Sequence, residues 1–345
     1  MIATSDDSWP RSAAPAIRGQ LRTRPEDFEV EEQLPFELAG QGEHAWLRIR
    51  KRGVNTDRVA QALARAAGVP RRAVGYAGMK DRHAVAIQWF SVHLPGREAP
   101  AWDGLGAEIE VLEAARHTRK LQTGALSGNR FVITLRECVG DRAGFTQRLE
   151  TVRQGVPNYF GEQRFGRDSA NVERARAMFA GEAIRDRHLH GIYLSAARAF
   201  LFNEVLARRV ADGTWNTPLD GEAFILDGSR SYFLDDGTDA TLPQRFALGD
   251  IHPSGPLWGK GEPPTRGLAR ALEQEIAARH TELAAGLVRA DLRQERRALR
   301  VIPRELAADW LDDATLQLRF ALPPGSYATA VMRELADYRD VAAKV

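Results

Sequence analysis

Gly75-Tyr-Ala-Gly-Met-Lys-Asp-Arg-His-Ala-Val-Ala-Ile-Gln-Trp-Phe-Ser-Val-His-Leu94 is a turn followed by a strand. Gly75 and Gly78 bracket the turn, since glycine accepts backbone angles that other residues resist. Gln88–Leu94 then alternates as a strand does. A turn leading into a strand projects a side chain from a rigid support. The side chain of interest is Asp81, set among Lys80, Arg82 and His83. Neighbouring cations favour the charged form of a carboxylate, and a charged carboxylate can serve as nucleophile, general base or metal ligand. Taken alone, the same Lys-Asp-Arg-His run reads more simply as a surface ion-pair cluster.

Around this stretch the first third of the chain reads as strands with one helix. Ala45, Leu47 and Ile49 share one face of a strand, and Trp46, Arg48 and Arg50 the other. On that outer face Trp46 either stacks on a base or covers the sheet. Residues 56–67 are expected to be helical, capped by Asn55 or Thr56, with Val59, Ala60, Leu63 and Ala67 inward and Gly68 and Pro70 as the stop. Phe131–Cys138 alternates again. Beyond Gly155-Val156-Pro157 the character shifts toward helix. Ser195 is expected to cap a helix reaching residue 210, residues 213–265 are loop-rich with short apolar runs such as Ala223–Leu226, and residues 266–300 read as Arg-rich helix. Leu316–Phe320 alternates like the early strands, and Ala328–Ala336 reads as a helix after Pro323-Pro324-Gly325. Strands and helices interleave irregularly, so the fold class is α+β. The two ends resemble each other more than the middle. A discontinuous domain of residues 1–154 and 302–345 is therefore expected, interrupted by an inserted domain at 155–301.

Composition sets limits. The 345 residues are 43% hydrophobic and 27% charged, ordinary for a globular protein, with room for two domains. The one cysteine, Cys138, excludes an intrachain disulfide and a Cys-rich zinc cluster, and fits a reducing compartment. The opening MIATSDDSWPRSAAPAI is polar and not expected to be a signal peptide, and no run nears a membrane span. A cytoplasmic location is expected. Net charge is only +2, but it is segregated. Residues 26–43 hold seven acids and no Lys or Arg, residues 44–82 hold ten Lys or Arg and two acids, and residues 114–136 hold five Lys or Arg and no acid. Such segregation suits a basic surface for nucleic acid, and equally suits solvated faces of Arg-rich elements.

Two further clusters stand out. Asn158-Tyr-Phe-Gly-Glu-Gln-Arg-Phe-Gly-Arg167 combines aromatics and Arg, which stack on unpaired bases and neutralise phosphate, or fill a junction between domains. Leu126-Ser-Gly-Asn-Arg-Phe131 offers Asn129 for a base edge and Phe131 for stacking, or is an ordinary turn. Gly255–Gly261 falls one residue short of a phosphate-binding loop and lacks its Ser or Thr. His188 and His190 have no firm third ligand. There is no Gly-X-Ser-X-Gly elbow and no dinucleotide fingerprint.

Together these stretches resemble the TruD family of tRNA pseudouridine synthases. The matching segments are Arg24-Pro-Glu-Asp-Phe-Glu-Val30, Gly75–Val92, Arg116-His117 through Leu121 with Gly124–Phe131, Val156–Gly166, Tyr193–Asn203 and Pro324-Gly-Ser-Tyr-Ala-Thr329, in the family's order over nearly the whole chain. The resemblance implies a catalytic domain on a mixed, largely antiparallel sheet and an inserted α/β domain forming the other wall of a V-shaped cleft. It implies isomerisation of uridine 13 of tRNA to pseudouridine, breaking the N1–C1′ bond and rejoining C5 to C1′, with no cofactor and no metal. Asp81 matches the family's nucleophile, acting at ribose C1′, at base C6 or in base release. Arg22 matches the basic partner of that Asp, and Lys80 meets phosphate or supports the turn. Phe28 and Asn129 match residues contacting the flipped base. Phe131 stands where most synthase families have Tyr, so a phenol is not expected to take the C5 proton. At position 327 the family has Phe and this chain has Tyr. The ring can still stack, and its hydroxyl requires a partner. The implied partner is tRNA, with no membrane and no obligate protein partner, and monomer is the default. A non-catalytic RNA-binding protein or RNA chaperone on this scaffold is the alternative. A metal-dependent nuclease using Asp81 and His83 lacks a second carboxylate at suitable spacing.

Overall fold

The computed structural model describes residues 9–235 and 238–342. The polar opening at residues 1–8, read above as no signal peptide, lies outside them. In chain order the first strands are β1 (Ile17–Leu21), β2 (Phe28–Gln33) and β3 (His44–Arg52), followed by helix α1 (Thr56–Ala66) and strands β4 (Val74–Tyr76), β5 (Val85–His93), β6 (Ile109–His117) and β7 (Gly128–Gly140). A second group follows: α2 (Arg142–Arg153), β8 (Val156–Pro157), α3 (Ala170–Phe179), α4 (Arg187–Ala211), β9 (Ala223–Leu226), β10 (Tyr232–Leu234), α5 (Leu242–Leu248), β11 (Ile251–Leu257), α6 (Gly267–Arg279), α7 (Thr281–Arg289), β12 (Glu295–Ala298) and β13 (Arg300–Val301). The chain closes with β14 (Arg304–Trp310), β15 (Leu316–Leu322), α8 (Ala328–Leu335) and β16 (Ala336–Asp340).

The chain separates into two compact units. One comprises Ile17–Arg142, Arg304–Gly325 and the residues from Asp337 on. The other comprises Ala143–Pro303, the segment ending at Ala16 and Ser326–Ala336. The first unit is built on a ten-stranded sheet, with the central order β14-β15-β7-β2-β5-β3-β6, β1 and β16 paired beside β7, and β4 on β5. Its one parallel pair with a described register is β2 with β5, where Glu29 faces Val85 and Glu31 faces Ile87. β7, β15, β3 and β6 pair antiparallel with their neighbours. This is the mixed, largely antiparallel sheet of an α+β fold. The other unit carries α2–α8, the four-stranded antiparallel sheet β10-β9-β11-β12 and the short pair β13-β8.

Most elements lie where periodicity puts them, and the exceptions have physical causes. Ala45, Leu47 and Ile49 are buried against α1 through Val59, Ala60 and Leu63. Trp46 is buried too, in a cluster with Ala77, Trp89 and Leu121, and its indole N–H donates to the Arg119 carbonyl at 2.8 Å. Trp46 therefore covers the sheet and is not free to stack on a base. Asn55 holds the N-cap position of α1 but makes no capping bond, and the Thr56 hydroxyl is used elsewhere. Helix α4 begins eight residues before Ser195, because Asp186 accepts the N–H groups of His188 and Leu189 and caps it there. The end of the stretch read as helix, from residue 295 to 300, instead holds β12 and the start of β13, because these residues pair with β11 and β8. In that segment the tertiary partner overrides the local preference.

Candidate functional site

The turn between β4 and β5 carries Asp81, and buried polar side chains hold it main chain first. The Thr56 hydroxyl accepts the Lys80 N–H at 3.0 Å and donates to Gln88 Oε1 at 3.0 Å. The Gln88 amide donates to the Gly78 carbonyl at 2.7 Å. The ammonium of Lys51 donates to the Asp81 carbonyl at 2.8 Å and to that of Val54 at 2.9 Å. Gly75 is required for close approach. A Cβ there would stand 2.6 Å from the Leu121 carbonyl oxygen and 2.8 Å from Ser91 Oγ. Gly78 sits in open space and its φ is not in the left-handed region, so the turn does not require glycine there.

The Asp81 side chain is fixed at both oxygens. Oδ1 accepts the His83 N–H at 2.9 Å, and Oδ2 pairs with the guanidinium of Arg22. Arg22 is itself clamped by Asp340, which accepts from its Nε at 3.0 Å and pairs with Nη2. All three side chains are largely buried. Arg22 follows β1 in the left-handed region at φ 56°, a conformation that costs a non-glycine residue energy. Its two carboxylate partners and the Phe28 ring, 5.7 Å from its Cζ, hold it there.

Phe28, Phe131 and Phe320 form an aromatic row across β2, β7 and β15. Phe28 meets Phe131 edge-on at 6.1 Å between centroids, and Phe131 stacks on Phe320 at 5.4 Å. The register sets Phe131 directly opposite Phe320, while Phe28, paired with Ile133, is the diagonal neighbour of Phe131. Asn129 lies two residues along β7, and its Oδ1 accepts from Lys80 Nζ at 2.8 Å. Lys80 also pairs with Glu32 at 2.9 Å. Glu32 is fully buried and accepts the Trp89 N–H at 2.8 Å. Burial pushes the Glu32 carboxyl above its usual range, against the pull of Lys80. Lys80 thus meets Glu32 and Asn129.

Arg22, Phe28, Lys80, Asp81, Asn129 and Phe131 lie in the sheet-bearing unit. Tyr327 belongs to the other unit, just before α8. Its hydroxyl accepts from Arg164 Nη2 at 3.0 Å, and Arg164 Nη1 donates to Ser195 Oγ at 2.8 Å. The Phe160 ring lies between Arg164 and Arg297, 5.6 and 4.1 Å from their Cζ atoms. Burial, opposed by Tyr327 and aided by Arg164, brings the Arg297 pKa down to about 10.

Sequence reasoning missed Asp340, Thr56, Glu32 and Lys51. Only Lys51 left a signal: it continues the Ala45, Leu47, Ile49 face of β3, where an apolar residue belongs. Among the described residues no group of three or more His, Cys, Asp or Glu side chains is placed to hold a metal ion. Among them, too, no helix is long and apolar enough to cross a membrane.

A family profile described as tRNA pseudouridine synthase D (TruD) matches residues 11–182 and 173–335. The chain belongs to the TruD family. It is 50% identical over 330 residues to a tRNA pseudouridine synthase D of Nitrosococcus oceani, covering 93% of this chain and 91% of that protein. It is 51% identical over 345 residues to one from Xanthomonas campestris pv. campestris, covering 95% and 94%. A third, from Methylococcus capsulatus, is 49% identical over 336 residues, covering 96% and 95%. A solved structure described as a tRNA pseudouridine synthase D from Methanosarcina mazei superposes with a TM-score of 0.72 at 21% identity, covering 94% of this chain and 95% of that one. That likeness bears on the fold.

Proposed function

We propose that this TruD-family chain is an isomerase that converts uridine to pseudouridine in tRNA, at position 13, with Asp81 as nucleophile and no cofactor. The observation that carries the reading is the Asp81 carboxylate, held by the His83 N–H and by Arg22, whose guanidinium also meets the Phe28 ring, with the neighbouring Lys80 bonded to Asn129. The curated relatives described as tRNA pseudouridine synthase D support the substrate class.

The residues divide the work as follows. A uridine must leave its stack to be reached, at a cost of a few kcal/mol. Aromatic faces at Phe28 and Phe131 and a hydrogen bond from Asn129 offset that cost. With Oδ1 taken by Lys80, Asn129 presents its N–H₂ group, which suits a uracil carbonyl oxygen. Asp81 attacks ribose C1′ or base C6, or assists departure of the base. Arg22, oriented by Asp340, keeps the carboxylate aimed. Phe131 has no basic atom, so another group takes the C5 proton. Tyr327 is read as a further substrate contact. The domain reading belongs to the proposal: residues 1–154 and 302–345 form the catalytic part and 155–301 the insertion, supported by a sheet that draws strands from both ends of the chain. So do a cytoplasmic location and a monomeric state.

Mapping pseudouridine in cellular tRNA with and without this gene tests reaction and position together. Loss of the modification at position 13 alone is the expected result. An unchanged map would overturn the function, and loss at another position would overturn the site. Turnover should persist in excess chelator; its loss would favour metal chemistry at Asp81 and His83.

A further inference from the structure

Strand β3 alternates inward and outward, and its inward parity runs Ala45, Leu47, Ile49, Lys51. The first three are apolar and buried in the core that faces α1. Lys51 occupies the same parity and is 0% exposed. Its stem lies where an aliphatic chain would pack, and its ammonium donates to two main-chain carbonyls, Val54 on the loop before α1 and Asp81 on the catalytic turn. Burying an ammonium on neutral carbonyls is costly, and a hydrocarbon of the same volume suits such a position better. Stability therefore does not explain the residue. What it gains is a fixed main chain at the reactive carboxylate.

We propose that Lys51 is a positioning residue for Asp81, its buried ammonium fixing the Asp81 carbonyl and placing a positive charge behind the carboxylate. The inference rests on the reading of Asp81 as nucleophile. Asp81 is then held at three points: Oδ2 by Arg22, Oδ1 by the His83 N–H, and the main-chain oxygen by Lys51. The first two orient the carboxylate and the third sets where it stands. Displacement of a reacting group by about 1 Å costs roughly 100-fold in rate.

The charge has a pH consequence. Burial lowers the Lys51 pKa to about 8, against the attraction of Asp81 and Glu32 and with the repulsion of Lys80. Those three are the charged groups facing it, from the catalytic turn and from β2. Below that value Lys51 is an ammonium. Above it the positive charge behind Asp81 is lost, while an N–H donor remains.

The test is single-turnover pseudouridine formation on tRNA by the full chain, with tRNA affinity and thermal stability measured alongside. Lys51→Met should fold, bind tRNA within about threefold of wild type and lose roughly 10- to 100-fold in rate. Lys51→Gln, which keeps a donor without charge, should recover part of that loss and should lack the decline in rate that wild type shows as pH rises through about 8. Wild-type rate in Lys51→Met would overturn the proposal. Should Lys51→Met fail to fold, the wild-type profile decides: a decline through pH 8 at constant affinity supports the proposal, and a flat profile overturns it. Asp81→Asn, run in parallel, separates the two readings. An inactive Asp81→Asn with a fully active Lys51→Met removes the positioning role alone, whereas an active Asp81→Asn removes the nucleophile and this inference with it.

Discussion

Tyr327 brings a hydroxyl to a position where the family pattern has a bare phenyl ring, and the structure supplies its partner in Arg164. Arg164 holds Tyr327 with one arm and Ser195 with the other. Phenylalanine at 327 would leave one guanidinium arm without that acceptor. Tyr327→Phe is expected to cost about 1 kcal/mol of stability, the penalty of a part-buried donor left unmade, in a denaturant titration. Turnover should stay within a few fold of wild type, since the ring is retained; a large loss would mean that the hydroxyl itself meets the substrate. Arg22→Ala should be far more damaging to turnover, because it frees the Asp81 carboxylate and leaves Asp340 buried without its cation. Of this residue-level detail, the types and, through the resemblance, the Arg22–Asp81 pair were legible, and the other pairings were not. Asp340 lies more than three hundred positions from Arg22, and no local pattern joins them.

At the scale of elements, the turn that carries Asp81 is held by its neighbours. Gly75→Ala would drive a Cβ into the Leu121 carbonyl, a backbone atom that cannot swing aside. A loss of about 1–3 kcal/mol is expected from overpacking, with a fall in turnover as the turn shifts. Gly78→Ala, which meets nothing within 4 Å, should be close to neutral. Equal effects of the two would contradict the close-approach account. The short turn at Pro25–Asp27 that leads into β2 depends on Asp27, a fully buried carboxylate. Burial alone would raise its pKa, but the ion pair with Arg136 at 2.8 Å and bonds from Thr23 and the Arg24 N–H outweigh it and hold it below its ordinary range. A lowered folded pKa gives stability that is present above the unfolded value of about 4 and is lost as pH falls through the folded one. Asp27→Asn should therefore cost about 3 kcal/mol near neutrality and flatten the acid limb of stability against pH. Elements of period two were legible where one face is buried, as in β3 and β15. β12 and β13 were not, because Glu295–Val301 is Arg-rich and owes its extended form to β11 and β8.

For the molecule as a whole, charge segregated along the sequence is not segregated in space. The acidic run at 26–43 and the basic run that follows it meet, Arg48 pairing with Glu31 and Arg52 with Glu26, while Arg50 pairs with Glu110 on β6. Arg71 pairs with Asp57, Arg130 with Glu305 and Arg136 with Asp27. Much of the basic surface expected from residues 44–82 and 114–136 is thus spent on carboxylates. tRNA affinity should still fall with salt, because each phosphate contact releases counterions. Neutralising Arg48 or Arg50 should leave the slope of affinity against salt unchanged, whereas exposed Arg58, Arg65 and Arg72, which make no ion pair among the described residues, should each lower it if they meet phosphate. The fold class was legible because a mixed order of strands and helices admits few alternatives. The carboxylate proposed as nucleophile was legible only through resemblance to a family, since a Lys-Asp-Arg-His turn by itself is an ordinary surface cluster. The central claim is therefore tested most directly at Asp81. With tRNA carrying tritium at uridine C5, wild-type protein should release tritium as pseudouridine forms, and Asp81→Asn should bind the same tRNA and release none. Release by Asp81→Asn at the wild-type rate would contradict the account.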